Sequence, residues 1–236
     1  MKYLYFLLCL IFSPLQIQAT TVKQDILSPL TTDAALSFWS GTAITTYLLI
    51  TEDTISDVAT KNTSNRRPLG DASKLGDLYG QVYPNAIYVF GMLGYGLFSN
   101  GRRSYIKAGH MFKATLYAGL VTSIIKYTVR EPRPNNIQEK NSFPSGHTTT
   151  AFTFATVVAT EHEWYWGLAA IGMAALTGYS RMNDGRHFLH DVAAGMTIGV
   201  SYGLGTYFTQ KGQGRQYAIV PIIDDQSNGL RVVASF

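Results

Sequence analysis

Lys126, Arg133, Ser145, Gly146, His147, Arg181, His187 and Asp191 fall in three short segments. The first runs from Lys126 to Arg133-Pro134, the second is Pro144-Ser145-Gly146-His147, and the third is Ser180-Arg181 followed by His187 and Asp191. These are groups suited to handling phosphate. A phosphoryl group in transfer spreads negative charge over its non-bridging oxygens, so catalysis rests on fixed cations and N–H donors. Arg133 and Arg181 can each grip two oxygens with a planar fork, whereas Lys126 acts as a point charge. Asp191 lies four residues after His187 and shares its face if both are helical. It can accept a hydrogen bond from one ring nitrogen and leave the other free to attack phosphorus. His147 sits where it can give a proton to the departing oxygen.

The elements that must position these groups read as helices. Leu116 to Arg130 is helical in pattern and brings Lys126 to a helix end, while Pro132 and Pro134 force an extended exit around Arg133. Ser145 is a good cap residue, Gly146 lets a ligand approach the backbone, and an apolar run from Ala151 to Ala159 follows. The first amides of such a helix form an anion site. Six helices are expected, over residues 34–51, 85–98, 105–130, 147–161, 164–179 and 188–209, after a polar start at 20–33. Residues 52–80 are polar, with Asn62 to Pro68 the best loop candidate. There is no repeat and no second domain.

Taken together, Lys-x6-Arg-Pro, Pro-Ser-Gly-His and Ser-Arg-x5-His-x3-Asp resemble the three signature motifs of the type 2 phosphatidic acid phosphatase superfamily. That superfamily includes class A acid phosphatases, membrane lipid phosphatases and vanadium-dependent haloperoxidases. All three motifs match in order, and the match is confined to residues 126–191. The resemblance implies an all-α six-helix bundle, with His187 as a nucleophile that becomes phosphohistidine, Asp191 as its orienting partner and His147 as general acid. It implies a phosphate cradle of Lys126, Arg133, Ser145, Gly146 and Arg181. No metal or other cofactor is implied for the phosphatase branch. The implied substrates are phosphate monoesters, lipid phosphates or diphosphates. A vanadium haloperoxidase is the alternative enzyme, although that branch usually has longer chains.

Each motif residue also has a plainer reading, because a single Lys or Arg at a helix end is usually a solvated cap and a lone Pro-Ser-Gly-His is usually a turn. Their conjunction outweighs it. His187, His190 and Asp191 form a His-x-x-His-Asp run that resembles a metal-binding spacing. No other ligand-type cluster accompanies it, so His190 is read as a supporting or surface residue, as are Asp184 and Arg186. His110 and His162 carry no partner pattern.

Lys2, the apolar run Tyr3 to Phe12, Pro14 and Ala19 read as a cleavable secretory signal over residues 1–19, or alternatively as a retained anchor. The only cysteine, Cys9, lies inside it, so the processed chain forms no disulfide. A periplasmic or secreted location follows. The formal charge of +4 is too diffuse to argue for nucleic acid.

A membrane span needs about 20 mainly apolar residues. Only 12 uncharged residues separate Lys113 from Lys126, and 13 separate His147 from Glu161. Mean hydropathy is +0.04, low for a six-span protein. A cleaved signal followed by six spans would also put the motif loops on the cytoplasmic face, whereas membrane relatives keep theirs outside. A globular helical domain over residues 20–215 is therefore expected, with membrane association at its surface and an integral six-span protein as the alternative. Trp39, Tyr47, Trp164, Tyr165 and Trp166 read first as core, and otherwise as membrane-interface residues.

Residues 216–236 break the pattern. Tyr217 to Ile223 and Leu230 to Phe236 are β-prone and flank a turn ending in Asn228-Gly229, so a C-terminal β-hairpin is expected. It would pack on the helices or join a second subunit in an oligomer.

Overall fold

The computed structural model describes residues 20–99, 101–212, 216–224 and 227–235; the leader expected over residues 1–19 lies outside them. Nine α-helices are present among the described residues: α1 Val22–Thr31, α2 Ala35–Ile50, α3 Asp57–Arg66, α4 Ser73–Tyr79, α5 Tyr83–Ser99, α6 Arg102–Val129, α7 Gly146–Glu161, α8 Trp164–Asn183 and α9 Leu189–Gln210. A π-helical turn at Glu52–Ser56 precedes α3 and a 3₁₀ turn at Gly70–Ala72 precedes α4.

The body is all-α, but the expected six-helix bundle with a C-terminal hairpin is corrected. The additional helices come from segments read as polar connections. A reciprocal Thr21–Gln24 capping box starts α1, with the Thr21 amide donating to Gln24 Oε1 at 2.8 Å. Residues 52–80 carry α3 and α4, which are polar because they cover the site rather than fill the core. The tail differs too. Backbone of Gln216–Asp224 pairs antiparallel with Ser227–Ser235, Asp224 opposite Ser227, so Asn228 and Gly229 lie inside a strand, opposite Ile223 and Ile222. The Asn-Gly pair is therefore not the turn that the sequence suggested.

Helix α7 is the central element and packs against α6, α8 and α9. Small side chains allow the close approach: Ala151, Ala155 and Phe152 meet Ala170 and Ala174, and Val157 meets Met111 and Ala114. Buried threonines on α7 return their hydroxyls to the preceding turn, as Thr153 does to the Thr149 carbonyl at 2.8 Å, so the core carries polar atoms without leaving these donors unpaired. Gly195 of α9 lies against the start of α7, where an added Cβ would stand 2.5 Å from the Ser145 carbonyl oxygen. That contact sets the distance between the second and third motifs.

The aromatic residues read first as core are on the surface, from Trp39 at 38% exposed to Trp164 at 74%. Phe90 and Phe98 of α5 and Ile124 and Tyr127 of α6 extend this apolar exterior. Among the described residues, no helix is long and apolar enough to cross a membrane.

Candidate active site

His187 and Asp191 meet at the N-terminal end of α9, although not on one helix face: α9 begins at Leu189, and His187 precedes it. The capping turn makes the contact. Asp191 Oδ2 accepts from the Phe188 amide at 2.8 Å and lies 3.4 Å from His187 Nδ1. Ser142, which the sequence reading missed, donates its hydroxyl to the same oxygen at 2.6 Å. Burial alone would raise the Asp191 carboxyl, but the hydrogen bond and charge of His187, the charge of His190 and the Ser142 bond hold it below its usual range. His187 is 3% exposed. Burial pushes its imidazole down, against the pull of Asp191 and with the help of Lys126 and Arg133, which favours the neutral form.

The loop between α6 and α7 carries the first group of cations. Arg130 caps α6 in a left-handed conformation at φ 56°, which turns the chain out of the helix. Lys126 stays in the last turn and donates to the carbonyl oxygens of Asn141 and, at 3.1 Å, Ser142. Burial lowers its ammonium to about 8, so it is a cation at neutral pH. Arg133 donates through Nε to Asn141 Oδ1 at 2.8 Å and pairs with Glu139 at 3.2 Å. The Asn135 amide donates to the Gly185 carbonyl at 3.0 Å, tying this loop to the third motif.

Ser145 caps α7, its Oγ accepting from Thr148 Oγ1 at 2.9 Å, while its own amide donates to the Asp191 carbonyl at 3.0 Å. The amides of Gly146 and His147 lead the helix and have no intrahelical acceptor. A Cβ added to Gly146 would meet no atom within 4 Å, leaving room for an anion there. Arg181, expected after a helix ending at residue 179, instead lies within α8 and is 4% exposed.

Asp77 of α4 is a second residue that the sequence reading missed. Its Oδ1 lies 2.5 Å from Arg181 Nη1 and 3.2 Å from His147 Nε2. The His147 contact is not a hydrogen bond, and His147 Nε2 has no hydrogen-bond partner. Burial and Arg181 push the His147 imidazole down to about 4, while Asp77 opposes this shift. Gly80, one turn on, seats α4 against His147: a Cβ there would stand 2.7 Å from His147 Cβ.

His190 is fully buried rather than a surface residue, and its Nε2 lies 2.8 Å from Glu131 and 3.6 Å from Asp191. With Glu131 and Glu52 it forms a group whose candidate ligand atoms lie within 4.8 Å of one another. Asp184 pairs with Arg181 and Arg67, and Arg186 with Glu139. His110 is a structural tie, bonded to Glu161 and to the Gly203 carbonyl at 2.9 Å each; His162 bonds the Tyr88 hydroxyl at 2.7 Å.

The PAP2 superfamily model matches residues 107–215. A lipid A 1-phosphatase of Porphyromonas gingivalis is 39% identical over 82 residues, covering 33% of this chain and 18% of that protein. A lipid A 1-phosphatase of Rhizobium johnstonii is 28% identical over 153 residues, covering 56% of this chain and 62% of that protein. The chain thus spans less than two thirds of either relative. The solved transmembrane PAP2-type phosphatidylglycerolphosphate phosphatase of Bacillus subtilis superposes with a TM-score of 0.60 at 19% identity, covering 75% of this chain and 96% of that one, a likeness of fold. With its three motifs gathered around His187 and the family model spanning all of them, residues 107–215 of this chain are similar to the PAP2 superfamily.

Proposed function

We propose that this chain is a phosphatase that removes a phosphate monoester from an anionic lipid through a phosphohistidine at His187, working from the periplasmic side at a membrane surface. The observation that carries this reading is the placement of the buried His187: Asp191 holds one ring nitrogen, and Lys126 and Arg133 are close enough to act on its charge. His187 Nε2 attacks phosphorus, the P–O bond to the lipid breaks, and His147 gives its proton to the leaving oxygen. Water then attacks the phosphohistidine, with His147 taking the proton back. Lys126, Arg133, Arg181 and the amides after Ser145 balance charge on the non-bridging oxygens.

A lipid is favoured by the surface beside the site. An apolar groove of about 510 Å³ runs between α5 and α6, lined by Val82, Val89, Phe90, Phe112, Leu116 and Leu120. Val82 follows closely after Gly80, which packs on His147, so an acyl chain in the groove would end near the cradle. The lipid A 1-phosphatases similar to this chain point the same way. Phosphate release from soluble aryl phosphates, phosphatidate, phosphatidylglycerol phosphate and lipid A tests the reading, with His187→Ala as control. Lipid phosphates should be preferred, and the variant should release none; an active His187→Ala would overturn the mechanism.

A further inference from the structure

We propose that Glu131 and the buried His190 form an ion pair that holds Asp191, and through it His187, in its reactive arrangement; this rests on the phosphatase reading above. Glu131 lies in the spacer of the first motif and His190 in the spacer of the third, so the pair joins these two segments.

His190 is fixed on every side. Its Nε2 stands 2.8 Å from Glu131 Oε1, its Nδ1 is 2.8 Å from Ser56 Oγ, and its backbone amide donates to the same hydroxyl at 3.2 Å. Its ring stacks on Phe188 at 5.2 Å and 14°. Burial and the charge of Asp191 raise the Glu131 carboxyl while the His190 bond opposes that rise; with Glu131 ionised the carboxylate only accepts, and the proton between the two sits on Nε2. The same Nε2 lies 3.6 Å from Asp191 Oδ1, a buried oxygen with no hydrogen-bond partner. A buried carboxylate oxygen left unbonded is costly unless a cation faces it, and His190 supplies that cation. The Glu131 carbonyl also accepts from the Ser142 amide at 2.9 Å, and Ser142 in turn bonds Asp191. Glu131 borders a cavity of about 680 Å³ shared with Glu52, Asp57, Lys61 and Arg133, so the pair has a path to solvent.

The ionisable groups facing His190 are Glu52 from the π-helical turn, Glu131 from the loop after α6 and Asp191 from α9. All are acids, and although burial alone would lower the imidazole, the Glu131 bond and these charges raise it. A divalent cation held by Glu52, Glu131 and His190 is the competing occupant. The 2.8 Å separation of Glu131 and His190 is a hydrogen-bond distance and favours the proton.

The test compares the full chain with His190→Gln, Glu131→Gln and the double variant, by kcat, KM and the pH profile of kcat/KM on a soluble aryl phosphate. Loss of the cation leaves Glu131 and Asp191 as adjacent anions, which raises the proton affinity of the Asp191–His187 pair. His190→Gln should move the acid limb up by about one pH unit and lower kcat about tenfold with KM unchanged. Glu131→Gln removes an anion and leaves the His190 cation facing Asp191, so it should move the acid limb the opposite way, by about half as much. The double variant, with no uncompensated carboxylate, should recover at least half of the lost kcat, which a purely structural role would not produce. If His190→Gln does not fold, the Glu131→Gln profile decides. Wild-type kcat and pH profile in folded variants would overturn the proposal, as would a stoichiometric metal in the wild type, by elemental analysis, that is lost in His190→Gln. An active His187→Ala would instead remove the phosphatase reading itself.

Discussion

Asp77 Oδ1 lies 2.5 Å from Arg181 Nη1 and 3.2 Å from His147 Nε2, so one carboxylate from a short helix touches both a cradle cation and the residue assigned as general acid. Without Asp77, burial and Arg181 would strip the His147 proton more readily still. Asp77→Asn should lower kcat about tenfold on lipid phosphates, a fraction of what a general acid supplies. A nitrophenyl phosphate, whose leaving group needs no proton, should lose much less. Comparison of the two substrates checks this, and a faster Asp77→Asn enzyme would mean that the carboxylate blocks the phosphate site instead.

Ser142 is the shortest contact to Asp191, at 2.6 Å. Hydrogen bonds to charged groups contribute about 1.5–3 kcal/mol. Ser142→Ala should therefore lower the unfolding temperature and also lower kcat/KM about tenfold or more, mainly in kcat. Steady-state kinetics and thermal unfolding of the variant separate the two effects.

The candidate site residues were more legible than the scaffold. Lys126, His147, Arg181, His187 and Asp191 stood out because their types and spacing form three motifs, and the structure brings them together. Ser142, Asp77 and Glu131 did not, because nothing local marks a serine or carboxylate that acts from another segment. α3 and α4 were hidden because they cover a polar site and lack an apolar face of ordinary helical period. The reading of Trp164 and its neighbours as core failed for a related reason: composition records apolar residues but not which side of a helix meets the protein. In the tail, Asn228-Gly229 carried a turn signal that cross-strand pairing overrode.

Stability should fall in acid because of His147. Its folded value of about 4 lies below the unfolded value of about 6.5, so the unfolded chain binds a proton that the folded chain refuses. Stability from this group is complete above about 6.5 and is lost as pH falls toward about 4. His187, also pushed down by burial, adds in the same sense. His190, raised by Glu131 and Asp191, acts oppositely, its contribution fading as pH climbs through its raised value. Unfolding temperatures of wild type and His147→Gln between pH 4 and 8 check this: the variant should show the shallower acid decline.

Gly195→Ala should injure both fold and site. Its new Cβ would stand 2.5 Å from the Ser145 carbonyl oxygen, forcing α9 away from α7 and Asp191 away from the cap. Overpacking of this kind costs about 1–3 kcal/mol, read as a lowered unfolding temperature, and activity should fall further than stability alone explains.

The most direct measurement is capture of the intermediate. Wild type is mixed with a substrate labelled in its phosphate, quenched in alkali, where phosphohistidine survives, and digested for peptide mapping. The expected result is transient label on the peptide bearing His187, absent in His187→Ala. Phosphate release with no covalent label at any time point, or label on a different residue, would contradict a His187 nucleophile.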